Sequence, residues 1–106
     1  MMRSVMVRYR VHADRAAENE ELVRDVYAQL ADEQPEGLRY ATFVLDDGVS
    51  FVHVAFNETE AAGRVLPQLS AFQRFQEGIR ERCEEPPVVS ELREVGSYRF
   101  LAGERA

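Results

Sequence analysis

Apolar residues recur along this chain with two different periods, and the order of those periods leaves few folds open. From Val5 to His12 the period is two. Val5, Val7, Tyr9 and Val11 alternate with Met6, Arg8, Arg10 and His12, the pattern of a strand with two unlike faces. The period then becomes helical: Asn19, Leu22, Val23, Val26, Tyr27 and Leu30 form one stripe, with Glu18, Glu20, Glu21, Arg24 and Asp25 mostly outside it. Asp14 is placed to cap this helix, and Pro35 and Gly37 to end it. Two strand-like runs follow, Leu38 to Leu45 and Ser50 to Phe56. They are joined by Asp46-Asp47-Gly48, a turn sequence whose glycine supplies a positive φ. Asn57 to Leu69 is less regular, a short helical turn interrupted by Gly63 and Pro67. Ser70 and Gln73 then form an S-x-x-Q capping box. Behind it Phe72, Phe75, Ile79 and Cys83 share a helix face that Pro86-Pro87 ends, and a final strand is expected over about Leu92 to Leu101.

Two helices with one apolar stripe each need a common sheet face. The order β-α-β-β-α-β satisfies this as an α+β, ferredoxin-like sandwich: a four-stranded antiparallel sheet with both helices on one side. At 106 residues the chain has room for one core, so residues 1–106 are expected to be a single domain with its core over about 5–101. The other sheet face is left bare. Alternation is expected to put Met6, His53, Phe51 and Ala55 there, and Val52, Val54 and Phe56 against the helices. A second copy is the simplest cover for the bare face, which makes a homodimer the expected assembly.

The net charge of −6, from 19 acidic and 13 basic side chains, argues against a nucleic-acid partner. A single cysteine, Cys83, excludes an intramolecular disulfide and leaves no cysteine-based zinc site. No apolar run approaches the roughly 20 residues of a membrane span, and the N-terminus enters strand sequence without a signal-peptide core. A cytoplasmic protein without membrane contact is expected. Phosphate-binding loops, dinucleotide fingerprints and nucleophile elbows are missing from the sequence.

Taken together and in order, several segments resemble the dimeric α+β barrel superfamily, specifically its antibiotic-biosynthesis-monooxygenase-like domains. They are V-R-Y-R-V-H before an acidic helix, P-E-G-L-R-Y (Pro35 to Tyr40), F-V-H-V-A-F (Phe51 to Phe56), F-Q-R-F (Phe72 to Phe75) and V-G-S-Y (Val95 to Tyr98). The resemblance covers about Val5 to Leu101. It implies a pocket between sheet and helices, and in some members oxidation of polyphenols without a cofactor or degradation of haem. Those activities lean on an Asn in the first strand, a Trp at the end of the third and often a His on the second helix. Here Val7 and Phe56 stand at the first two positions, and Ala71 to Cys83 contains no histidine. The resemblance therefore points to cofactor-free oxidation of a small aromatic compound, with no haem, flavin or metal. A non-catalytic ligand-binding or accessory module of the same fold is the alternative.

The candidate catalytic residues are His53, as a general base, and Arg8 and Arg10, as a clamp for a carboxylate or phenolate. Each also has a structural alternative, His53 as a hydrogen-bonded residue of the dimer interface and the arginines as partners of acidic residues such as Glu91 or Glu94 across the dimer. Tyr9, Asn19, Phe56 and Phe72 are the candidate pocket lining, with Tyr27, Tyr40 and Tyr98 as further phenol donors. These aromatics can equally be plain core. On the apolar helix stripe, Cys83 reads as an inert buried thiol, although Arg80 and Arg82 stand near it.

Overall fold

The computed structural model describes residues 3–100. β1 (Arg3–Val11) leads through a 3-10 turn into α1 (Ala16–Glu33), and β2 (Leu38–Val44) and β3 (Ser50–Asn57) form the hairpin. Short helices α2 (Val65–Gln68), α3 (Ser70–Gln76) and α4 (Ile79–Arg82) precede β4 (Cys83–Leu92). The sheet order is β2-β3-β1-β4 with every neighbouring pair antiparallel, the ferredoxin-like arrangement. Asp47 holds the hairpin turn, its carboxylate accepting from the Val49 and Ser50 N–H groups at 2.9 and 2.8 Å.

The second half departs from the periodicity. The helix expected through Cys83 breaks at Gly78, whose φ of +71° ends the run that α3 began. The last strand therefore starts at Cys83, and residues 93–100 contain none of it; Leu101 lies outside the described residues. Pro86 and Pro87 end no helix but lie inside β4. They are tolerated because β4 is an edge strand and because the register slips there: Arg8 faces Val88, whereas Arg10 faces Glu85.

Neither expected cap forms. Asp14 lies in the 3-10 turn Ala13–Arg15, and α1 begins without a side-chain cap. At α3 the Ala71 N–H is taken by Gln29 Oε1 of α1 at 2.9 Å, a tertiary contact in place of the local box.

β3 is turned over relative to expectation. Tyr9 pairs with Phe51 and Val7 with His53, and direct partners share a face, so Phe51, His53 and Ala55 point toward the helices. Phe51 and His53 are buried there with Tyr9, Val23, Val26 and Phe75. Val52, Val54 and Phe56 lie on the open face with Met6 and Arg8. The strand is apolar on both sides, so alternation groups its residues but cannot say which group is inside.

Candidate functional site

Between the sheet and the helices lies a cavity of about 280 Å³. Val5 and Val7 of β1, Ala55 of β3 and Val89 of β4 form its floor, and Leu66, Phe72, Phe75 and Ile79 its roof. Against these apolar walls the polar groups gather at one end, where Tyr9, Tyr40 and His53 converge. Asn57 and Gln76 add amides elsewhere on the wall.

The polar end belongs to a continuous buried chain of hydrogen bonds. Arg82 Nε donates to Asn19 Oδ1 at 3.1 Å, and Asn19 Nδ2 donates to Tyr9 Oη at 2.9 Å. Tyr9 Oη is 2.8 Å from His53 Nε2. On the other side of the ring, Nδ1 is 2.7 Å from Tyr40 Oη and 3.1 Å from Thr42 Oγ1, and Thr42 meets Tyr27 Oη at 2.7 Å. Every buried side-chain polar atom among the described residues has a partner.

Burial sets the charge states. His53 is only 5% exposed, and desolvation pulls its pKa down to about 4, so the imidazole is neutral at pH 7. The same cause raises Tyr27 to about 12 and carries Tyr9 and Tyr40 higher still, so all three are protonated phenols. Arg82 is 1% exposed, and among the described residues no carboxylate lies within ion-pair distance of it. Its other bonds go to the backbone carbonyls of Phe75 (2.6 Å) and Glu77 (2.9 Å), at the C-terminal end of α3, and its guanidinium lies over the Phe75 ring.

The sequence-derived candidates divide. Tyr9, Phe72 and His53 line the cavity. Asn19 does not line it; it is fully buried behind Tyr9 as a link in the chain. Phe56 faces the opposite side of the sheet, beside Ala41, Phe43 and Val54. Arg8 and Arg10 are also on that open side, where Arg10 pairs with Glu84 at 3.2 Å. The expectation that alternation puts His53 on the open face with Arg8 and Arg10 is corrected: His53 is on the helix side, and the sheet separates it from them. Cys83 is buried at the start of β4, and desolvation raises its thiol pKa, with Arg82 only partly offsetting this. Tyr98 is exposed. Sequence reasoning missed Arg82 and Thr42. Arg82 was visible only as a neighbour of Cys83, and nothing local marks it as buried. Among the described residues no group of three His, Cys, Asp or Glu side chains could hold a metal ion. No described helix is long and apolar enough to cross a membrane.

The sequence matches no protein-family model and no curated protein. The fold, by contrast, matches solved structures. Rv0793 from Mycobacterium tuberculosis superposes with a TM-score of 0.74 at 16% identity, over 92% of this chain and 98% of that one. A crystal structure described as an antibiotic biosynthesis monooxygenase gives 0.73 at 18% identity, over 91% and 100%. A variant of SnoaB, a cofactor-independent oxygenase from Streptomyces nogalater, gives 0.68 at 18% identity, over 91% and 95%. The chain has the fold of antibiotic-biosynthesis-monooxygenase-like proteins.

Proposed function

We propose that this protein is a cofactor-independent monooxygenase for a small aromatic compound carrying a phenol or enol hydroxyl. The observation that carries the reading is the apolar cavity closed at one end by His53, Tyr9 and Tyr40. Its walls suit a planar ring, and its polar end suits the ring's oxygen. The cofactor-independent oxygenase among the similar folds supports the same chemistry.

In this reading the substrate supplies its own electrons. His53, neutral, takes the substrate's hydroxyl proton through Tyr9, which lines the cavity: the Tyr9 hydroxyl passes its hydrogen to Nε2, 2.8 Å away, as its oxygen accepts the substrate's. The anion so formed raises the imidazole's pKa by direct charge interaction, offsetting the desolvation that depresses it in the empty site. A phenol hydroxyl at the polar end donates to the oxyanion. Reaction of the anion with O₂ puts one oxygen atom into the product and releases the other as water, so that SH₂ and O₂ give SO and H₂O. The protein contributes position and electrostatics.

The test is oxygen uptake by the purified chain with a panel of hydroquinones and larger polyphenols, in the presence of a chelator. One O₂ consumed per product, and a loss of at least about a hundredfold in rate for His53→Gln, is the expected result for a general base. Saturable binding without oxygen uptake would overturn catalysis and leave the binding-module alternative.

The proposal includes a two-fold dimer through the open sheet face. Phe43 and Val88 are more than half exposed there, alongside Met6, Val54 and Phe56. This is a larger apolar surface than the expected Met6, Phe51 and Ala55, of which only Met6 remains on that side. Light scattering at micromolar concentration should give twice the chain mass, with an interface of at least about 1,200 Å². Phe43→Glu should give the single-chain mass, and a wild-type monomer would refute the assembly.

A further inference from the structure

We propose that Arg82 and Asn19 are positioning residues that set the direction of the buried hydrogen-bond chain. They hold His53 as its Nδ1–H tautomer and leave the Tyr40 hydroxyl to donate to an acceptor oxygen of the ligand. The direction follows from donor and acceptor inventories. A guanidinium has donors only, so the Asn19 atom facing it must be the carbonyl oxygen, and the amide Nδ2–H₂ is turned to Tyr9. Tyr9 Oη accepts that bond; if it also accepted from His53, its own hydrogen would be left without an acceptor on a side chain only 2% exposed, so that hydrogen goes to His53 Nε2. An imidazole that is neutral and accepts at Nε2 carries its hydrogen on Nδ1, which donates to Tyr40 Oη, with Thr42 as the longer second acceptor. Tyr40 receives at its oxygen, and its hydroxyl hydrogen is not needed by His53. Since Tyr40 lines the cavity, that hydrogen can turn from Thr42, its other hydrogen-bonding neighbour, to a phenolate, enolate or carbonyl oxygen.

The burial of Arg82 supports a role beyond packing. An arginine without a carboxylate partner is expensive to bury, and a neutral leucine or methionine could fill the same space. Such a side chain could neither bond the carbonyls of Phe75 and Glu77 nor forbid one of the two orientations of the Asn19 amide, and the second of these sets the direction of the chain. The direction of the chain is a property of the ligand-free protein and stands apart from the oxygenase reading. The ligand half rests on that reading's pocket.

The decisive variant is Asn19→Asp, which keeps the size and gives Arg82 a carboxylate but has no donor. Tyr9 must then donate to the new carboxylate and accept from His53 Nε2–H, which reverses every bond as far as Tyr40. Long-range ¹H–¹⁵N correlation spectra of the ligand-free full chain read the tautomer directly. The wild type should show a protonated Nδ1 at His53, and Asn19→Asp a protonated Nε2. A wild-type Nε2–H tautomer overturns the proposal even if the variant does not fold, as does an unchanged tautomer in a folded variant. Absorbance titration with 4-nitrophenol tests the ligand half, since its colour reports the ionised fraction. The wild type should bind it as the phenolate, and Asn19→Asp at least about tenfold more weakly, the loss of one charge-assisted hydrogen bond. Equal affinity, or no binding to the wild type, overturns that half, and the tautomer spectra still decide the first.

Discussion

Arg82→Met should destabilise the protein by about 3–5 kcal/mol, a large share of the roughly 5–15 kcal/mol available to a domain of this size. Methionine fills similar space, so the cost comes from the acceptors left behind. Asn19 Oδ1 and the carbonyls of Phe75 and Glu77 each lose a bond to the guanidinium. A buried unsatisfied acceptor costs about 1–3 kcal/mol. Arg24 is the control. It is two-thirds exposed and pairs along α1 with Glu20, so Arg24→Ala should cost no more than about 0.5 kcal/mol. Urea unfolding of both variants at pH 7 measures the difference. A loss under about 1 kcal/mol for Arg82→Met would mean that water reaches those carbonyls.

Acid should destabilise the wild type through His53 before the carboxylates titrate. Folding depresses the imidazole from its ordinary 6.5 to about 4 because burial disfavours the cation. The unfolded chain therefore takes up a proton that the folded state refuses. The full contribution is present above about pH 6.5 and is lost as pH falls through about 4. About 2 kcal/mol should be gone by pH 5 and about 3 kcal/mol by pH 4. Glu18, held down by its bond to Arg15, and Asp47, held down by Ser50 and Val49, add losses only at lower pH. Urea midpoints at pH 7, 6 and 5 should fall for the wild type and stay nearly level for His53→Gln. Parallel curves would assign the acid sensitivity elsewhere.

Local pattern accounts for the first half of the fold. The alternation from Val5 to Val11 correctly puts Val7, Tyr9 and Val11 toward the helices, and the Asp46-Asp47-Gly48 turn joins the expected pair of strands. The stripe of α1 is buried at Asn19, Val23 and Val26. These features depend on neighbours within a few residues, which is the range that periodicity and turn chemistry report.

Beyond that range the sequence was ambiguous, and long-range pairing decided. F-V-H-V-A-F is apolar on both faces, so only its register against β1 turned His53 inward and Phe56 outward. Pro86-Pro87 breaks a helix in most settings, but at a bulge on an edge strand its missing N–H groups cost little. The chain from Arg82 to Tyr40 could not be read from spacing at all. Asn19 and Arg82 are 63 positions apart, and Tyr9 and His53 are 44 apart. Sequence alone determined the order of elements and supplied the polar side chains of the site. Their union into one buried chain is a tertiary effect, because a buried polar atom must find a partner wherever the packed helices and sheet present one.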